Sequence, residues 1–285
     1  MDAQSQHYVD VAAAWTIPAL LHRNATEHPD KPALSILGGT ETLTWREFRD
    51  RVADVSRGLA GLGLASGDKM LILMPGQVEH WIVDQAATHL GAVPCTAYAT
   101  LSTDQLRYLA QHSAAPVIVV AGAAELARLG PALPDLPALR HVIVVDESAV
   151  ASAGPHGISL REVTEAGARA HRDDPGAFEA AWRAIRSDQP LTLLYTSGTT
   201  GDPKGVVLSH FNVIYQTVIG EALVPVPDFP RSVAYLPLAH IAERVLGIYS
   251  PIYRVGHAMI VPEPGLLVPG LQAQHPVSFL SLIHI

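Results

Sequence analysis

The residues from Tyr195 to Gly205 combine the groups that a protein needs to bind a chain of phosphates. Their three glycines allow tight bends and a close approach of the backbone to a ligand. Four Ser and Thr hydroxyl groups and the backbone N–H groups supply hydrogen-bond donors, and one lysine supplies a compact positive charge. A loop with these groups is suited to wrapping an oligophosphate. The candidate phosphate-binding residues are Thr196, Ser197, Gly198, Thr199, Thr200, Gly201 and Lys204.

Apolar residues flank this segment on both sides and predict two strands that it connects. Residues 191–195 lead into it and residues 205–209 lead out of it. A Walker loop is different, because it needs glycine, four residues and then Gly-Lys-Ser/Thr, directly followed by a helix. The fifth residue after Gly198 is Pro203, and neither Ser nor Thr follows Lys204. The sequence therefore excludes a Walker loop, and a flexible linker would not join two apolar strands so tightly.

A second candidate residue, His240, stands where a predicted strand gives way to a predicted helix. Residues 231–236 predict a strand that stops at Pro237, because proline cannot donate to a strand ladder. The apolar residues that follow have helical spacing; they are Ile241, Val245, Ile248 and Ile252. The N-terminal end of a helix favours a bound anion, so His240 is a candidate for contact with a carboxylate or phosphate. A structural role for this histidine is the alternative.

These motifs resemble those of one enzyme family. Residues 195–205 resemble the phosphate loop of the adenylate-forming (AMP-binding) superfamily, which includes acyl-CoA synthetases, aryl-CoA ligases, peptide-synthetase adenylation domains and luciferases. Residues 235–244, with Leu-Pro-Leu-Ala-His followed by Glu-Arg, are most similar to the long-chain fatty acyl-CoA synthetases. Shorter pieces at 29–34, 43–48 and 90–94 are typical of the N-terminal part of the family. The resemblance covers roughly the first half of the family's full length.

The resemblance implies an acid–thiol ligase of fatty acid metabolism that uses ATP, Mg2+ and coenzyme A. In the family a carboxylate attacks the α-phosphate of ATP, and the coenzyme A thiol then displaces AMP from the acyl-AMP. The resemblance implies that the candidate phosphate-binding residues hold the β- and γ-phosphates. It makes Lys204 and His240 the catalytic residues and Thr196 a contact for Mg2+. A helix that carries Gly220, Ala222 and Leu223 would line an acyl tunnel, with ordinary core packing as the alternative.

Two other functions stay open. The chain would also suit another carboxylate-adenylating enzyme, one that forms a fatty acyl-AMP or acts on an aryl acid or amino acid. The third interpretation is a catalytically inactive fragment, because the family's adenine- and ribose-binding segments, its magnesium glutamate and its C-terminal catalytic lysine have no counterpart here. We therefore expect that the 285-residue chain alone does not turn over fatty acid, ATP and coenzyme A. The sequence predicts neither the acyl chain length nor the oligomeric state.

Alternating strand and helix patterns predict an α/β fold with sheets covered by helices. By resemblance this is a truncated N-terminal part of the family's large domain. We expect a first α/β subregion over 1–146, an irregular connection over 147–179, and a second subregion over 180–285 that carries the phosphate loop and is truncated at the C-terminus. Capping boxes that begin at Thr44 and Ser102 predict the starts of two helices.

Composition excludes several other classes of protein. Hydrophobic residues make up 48% and charged residues 16%, which is typical of a globular protein and not of a disordered one. A net charge of -8 without a cluster of Lys and Arg excludes a nucleic-acid-binding surface. Neither a signal peptide nor a run of 18 apolar residues is present, and the lone Cys95 is compatible with a reducing compartment. We therefore expect a cytoplasmic protein without a transmembrane segment, for which peripheral membrane contact stays open.

Overall fold

The computed structural model describes residues 2–196 and 202–280. Within them the strands are β1 (Pro32–Ile36), β2 (Thr42–Thr44), β3 (Lys69–Leu73), β4 (Val93–Thr96), β5 (Val117–Val120), β6 (His141–Val144), β7 (Gly157–Ser159), β8 (Pro190–Thr196), β9 (Lys204–Ser209), β10 (Arg231–Ala234) and β11 (His257–Ile260). The α-helices are α1 (Ala3–Ala14), α2 (Ile17–Glu27), α3 (Trp45–Gly61), α4 (Val78–His89), α5 (Thr103–Ser113), α6 (Ala123–Leu129), α7 (Leu160–Asp173), α8 (Pro175–Arg183), α9 (His210–Leu223), α10 (Ile241–Glu243), α11 (Ser250–Arg254) and α12 (Leu267–Gln274). Short 3-10 helices span Gly130–Asp135, Glu147–His156 and Pro264–Leu266, and a π-helical segment spans Arg244–Tyr249.

The chain divides into two compact units. The first unit comprises Met1–Arg49, Gly76–Val78 and His210–Ile285, and the second comprises Asp50–Pro75 and Glu79–Ser209. The described strands of the first unit form a sheet in the order β10-β11-β1-β2, in which only β2 is antiparallel to its neighbour. In the same unit, α1 packs against α9 and α2 packs against α11.

The second unit is built on a parallel sheet in the order β4-β3-β5-β6-β7. Its three central strands β3, β5 and β6 consist mainly of Val, Ile, Leu and Met, which is typical of strands buried on both faces. Strands β8 and β9 form an antiparallel ribbon. The Thr192 hydroxyl of β8 donates to the carbonyl oxygen of Pro94 in β4 at 3.1 Å. Leu193 and Tyr195 join the apolar core of this sheet, so the ribbon is anchored to the sheet through β8.

The structure confirms the predicted α/β fold and most of the predicted elements. The two strands around the candidate phosphate-binding segment and both capping boxes are present. The structure differs from the sequence interpretation at 147–179, where we expected an irregular connection. These residues contain β7, which is the edge strand of the parallel sheet, and the helix α7. That helix begins with a capping box in which Ser159 and Glu162 bond to each other's backbone N–H groups.

The division into compact units also differs from the predicted boundaries of 1–146 and 180–285. The reason is a non-local strand pairing, because β1 near the N-terminus lies beside β11, with Leu34 opposite Ala258. The N-terminal hairpin thus belongs to the same sheet as the C-terminal strands. None of the helices in the described ranges is long and apolar enough to cross a membrane.

Candidate functional site

The open end of the β8–β9 ribbon brings together two of the predicted phosphate-binding residues. Thr196, the last residue of β8, and Lys204, the first residue of β9, lie directly opposite each other in the ladder. Both residues are exposed. Side chains of directly opposed residues project from the same face of a β-ladder. The Thr196 hydroxyl and the Lys204 ammonium group therefore face the same region of solvent.

Five residues of the predicted loop lie outside the described residues; they are Ser197, Gly198, Thr199, Thr200 and Gly201. Their assignment to the β- and γ-phosphates stays a prediction.

The residue before Thr196 is held from the side by helix α5. Tyr195 is buried, and its phenol bonds to Nδ1 of His112 at 2.8 Å. Burial raises the pKa of the Tyr195 phenol, which therefore keeps its proton. The tautomer of His112 sets which of the two groups donates in this hydrogen bond.

His240 caps the helical segment that follows β10. Its Nδ1 accepts a hydrogen bond from the backbone N–H of Ala242 at 3.1 Å, and the residue is exposed. Because Nδ1 is the acceptor, the neutral imidazole carries its proton on Nε2. His240 therefore presents an N–H donor to solvent, which suits contact with an anionic oxygen. The predicted junction of strand and helix at His240 is confirmed.

Three residues further on, Glu243 is a buried acid with only 2% of its surface exposed. Its Oε2 accepts a hydrogen bond from the backbone N–H of Leu236 at 3.2 Å. Burial raises the pKa of Glu243 to about 8, against the opposing effect of backbone hydrogen bonds from Leu236 and Tyr235. Gly247 leaves room for this carboxyl group, since a Cβ atom there would lie 2.8 Å from Oε1. Glu243 is thus largely protonated at neutral pH and anchors the turn that precedes His240.

A cavity of about 360 Å3 opens beside Glu243 within the first unit. Its walls come from α9, β10, the π-helical segment and residues 277–280, and they are mostly apolar. Tyr235 lines the cavity and stacks on Phe279 with ring centroids 5.5 Å apart, while its hydroxyl donates to the carbonyl oxygen of Leu280 at 2.9 Å. A space of this size falls in the range of roughly 300–1,000 Å3 that is usual for small-molecule sites.

Helix α9 contributes to this cavity in a different way from the sequence interpretation. Gly220 lines it, as the acyl-tunnel hypothesis requires. Ala222 and Leu223 are not among the lining residues, and Leu223 is 75% exposed. The helix turns these two residues away from the cavity, and Val224 lines it in their place.

The structure places the predicted site residues in two groups. Thr196 and Lys204 belong to the second unit and His240 to the first. The sequence motif at 235–244 contains Glu243 but does not indicate a role for it. The available signal was an acid that, with Arg244, interrupts an apolar helical stretch.

Comparison with known proteins identifies the same family over most of the chain. A family model described as AMP-binding enzyme matches residues 21–282. The long-chain-fatty-acid–CoA ligase FadD15 of Mycobacterium tuberculosis is 31% identical over 236 residues, which are 81% of this chain and 38% of that protein. The chain thus spans well under half of the length of this curated relative.

Solved structures share the fold at lower sequence identity. The inhibitor-bound N-terminal domain of FACL13 from Mycobacterium tuberculosis is 22% identical with a TM-score of 0.72, and the match covers 90% of this chain and 60% of that one. A benzoate CoA ligase from Burkholderia xenovorans LB400 is 21% identical with a TM-score of 0.76, with 92% of this chain and 49% of that one covered. The fold is therefore that of the N-terminal part of adenylate-forming enzymes.

Proposed function

Since the chain belongs to the AMP-binding enzyme family, we propose that it supplies the phosphate site and the acyl pocket of a ligase that joins a long-chain fatty acid to coenzyme A. The main support for a fatty acid as the substrate is the cavity of about 360 Å3 with mostly apolar walls. An extended hydrocarbon chain gains about 0.8 kcal/mol for each methylene that it buries in such walls. The name of the FadD15 relative supports the same substrate class.

The ribbon end would act on the phosphates of ATP. In the first half-reaction the fatty acid carboxylate forms a bond to the α-phosphorus, and the bond from that phosphorus to the pyrophosphate oxygen breaks. Negative charge then grows on the departing pyrophosphate. The Lys204 ammonium and the Thr196 hydroxyl face one region of solvent and would stabilise that charge. The segment from Ser197 to Gly201 would add its backbone N–H groups.

The turn at His240 would act on the acid. Its Nε2–H is the free donor of the neutral ring, because Nδ1 accepts from Ala242. A hydrogen bond from Nε2 to the carboxylate or to an α-phosphate oxygen would orient the attacking group. In the second half-reaction the thiol sulfur of coenzyme A attacks the acyl carbon, and AMP leaves with the electrons of the acyl–oxygen bond.

A magnesium ion fits this proposal in part. Mg2+ in nucleotide sites takes phosphate oxygens, water and one or two protein oxygens, and when bound it neutralises phosphate charge. Thr196 offers one exposed hydroxyl oxygen at the ribbon end. No cluster of three or more metal-binding side chains occurs among residues 2–196 and 202–280. The donor set here therefore suits an ion held mainly by the phosphates.

The test is acid-dependent exchange of pyrophosphate into ATP, measured in the complete enzyme that contains this chain. We expect exchange with palmitate and little exchange with benzoate. Exchange that depends on benzoate or on an amino acid, and not on palmitate, would replace the proposed substrate class. Absence of exchange with every acid would refute the ligase activity.

A matched binding measurement uses the 285-residue chain itself. Palmitate should displace a fluorescent fatty acid from the wild-type chain. A substitution that fills the cavity, such as Gly220→Phe, should weaken the binding of both. Because the chain spans 38% of the FadD15 length, we propose that turnover needs further residues and that the chain alone binds without catalysis.

A further inference from the structure

Helix α5 holds both strands of the β8–β9 ribbon at its open end. Its Tyr108 donates the phenol proton to the carbonyl oxygen of Pro203 at 3.1 Å, just before β9 begins. Nδ1 of its His112 is hydrogen-bonded to the Tyr195 phenol at 2.8 Å, one residue before β8 ends. Tyr108 and His112 are four residues apart, so they lie on one face of the helix. One face of the helix therefore forms a hydrogen bond to the chain on each side of the ribbon opening.

The two rings form a packed unit, which we call the aromatic pair. The Tyr108 and His112 rings stack with centroids 5.5 Å apart, and His112 meets the Tyr195 ring edge-on at 5.6 Å. Gly205 of the ribbon lies opposite Tyr195 in the ladder and beside the His112 ring. A Cβ atom at Gly205 would lie 3.0 Å from a Leu193 methyl group and at an ordinary contact distance of 3.7 Å from the His112 ring. The aromatic pair therefore packs directly against the first residues of β9.

The contacts of the aromatic pair end where the polar groups begin. Thr196 follows Tyr195 directly, and Lys204 stands between Pro203 and Gly205. Thr196, Lys204 and His112 are exposed, whereas Tyr195 is buried and Tyr108 is half-buried. The hydrogen bonds at Tyr195 and Pro203 thus hold the backbone beside Thr196 and Lys204, while the side chains of these two residues remain in solvent.

We infer that Tyr108 and His112 are positioning residues that set the separation and direction of Thr196 and Lys204 for phosphate binding. That the positioned groups bind phosphate rests on the proposed function. That Tyr108 and His112 position them rests on the hydrogen bonds to Pro203 and Tyr195. Neither residue touches the substrate. Their effect on the reaction is through the backbone, and an error of about 1 Å in such a site costs on the order of 100-fold in rate.

The first test is hydrogen exchange of backbone amides in the 285-residue chain. Tyr108→Phe removes one hydroxyl and keeps the ring, so the fold is preserved. We expect exchange at Thr196 and at residues 204–206 to become about tenfold faster, since one hydrogen bond has been lost. Gln111→Ala is the matched control, because Gln111 lies on the same helix and donates to the carbonyl oxygen of Asp135 at 2.9 Å, away from the ribbon.

The second test separates positioning from general stability in the complete enzyme. His112→Ala should lower kcat for adenylation by about 10- to 100-fold and leave KM for palmitate unchanged. His112→Asn places an amide oxygen near the position of Nδ1 and should restore most of the lost rate. Gln111→Ala should behave as the wild type.

Three results would overturn the inference. The first is unchanged exchange at the ribbon end in Tyr108→Phe. The second is faster exchange spread over β3 and β5 as well, which would mean general destabilisation. The third is equal activity of the Ala and Asn variants at 112. If instead the enzyme bound no MgATP, the proposed function would fail, while the exchange measurement would still decide the geometry.

Discussion

The ribbon end and the His240 turn both have a backbone anchored by neighbouring side chains, but the first presents polar groups to solvent and the second borders an apolar cavity. At the ribbon end, Lys204 and Thr196 stay in solvent, and neighbouring groups anchor the backbone beneath them. At the His240 turn, the buried acid Glu243 anchors the backbone at Leu236 beside a mostly apolar cavity. A charged ligand needs exposed donors on a fixed frame, whereas an apolar ligand needs a concave surface. The difference between the two regions is the one expected if the first binds phosphates and the second binds an acyl chain, as proposed.

The largest expected effect is a pH dependence of the free energy of unfolding, caused by Glu243 in the His240 turn. Its pKa of about 8 lies above the ordinary carboxyl value, so the folded state binds a proton that the unfolded state has lost at neutral pH. The free energy of unfolding should therefore fall as pH rises from the ordinary carboxyl range through about 8, by roughly 1.4 kcal/mol per pKa unit and several kcal/mol in total. Below that window this contribution is fully present.

Glu243→Gln should remove this pH dependence, because an amide oxygen still accepts from Leu236 and does not titrate. Urea unfolding at several pH values measures it, with the exposed Glu263→Gln as a control for the lost charge. Parallel stability curves for wild type and Glu243→Gln would show that the acid does not bind its proton in the folded state.

The next largest effect is on fatty acid binding in the apolar cavity. A Cβ atom at Gly220 would meet no atom within 4 Å, so a phenylalanine there has room to enter the cavity that Gly220 lines. Gly220→Phe should displace two or three methylenes of a long acyl chain and weaken palmitate binding by about 2 kcal/mol. Gly220→Ala should change little. Equal palmitate affinity in the Phe variant would place the acyl chain elsewhere.

A smaller effect concerns the start of helix α5. Ser102 accepts from the backbone N–H of Gln105 at 3.3 Å, and Gln105 accepts from the backbone N–H of Ser102 at 2.9 Å. Ser102→Ala should lower the unfolding free energy by about 1 kcal/mol. It should loosen the ribbon end, which α5 supports, and leave fatty acid binding unchanged. Chemical denaturation with the exposed Ser152→Ala as control measures this, and a loss of palmitate affinity would contradict it.

The sequence predicted those features that depend on neighbouring residues. The run from Leu191 to Tyr195 predicted a strand, and β8 spans Pro190–Thr196, because continuous apolar residues at a buried position leave few other choices. Helix starts at Ser102 and Trp45 followed from local capping chemistry. The position of His240 between a strand and a helix followed from Pro237, although β10 ends earlier than predicted, at Ala234.

Features that depend on distant residues were not predicted. The bond between His112 and Tyr195 joins residues 83 apart in the chain. The pairing of β1 with β11 joins the two ends of the sequence and moves the boundaries of the units. The burial of Glu243 follows from packing that no local pattern specifies, since its neighbours in sequence only indicate a helix.

The most direct test of the phosphate site compares the two half-reactions in Lys204→Ala, with Lys69→Ala as a control for loss of one positive charge. Acyl-AMP formation is measured in a single turnover, and thioester formation is measured from preformed acyl-AMP. We predict that acyl-AMP formation falls by about 100-fold or more, near 3 kcal/mol for one lost donor to developing charge, and that thioester formation stays close to wild type. Equal losses in both half-reactions would contradict the assignment of Lys204 to the departing pyrophosphate.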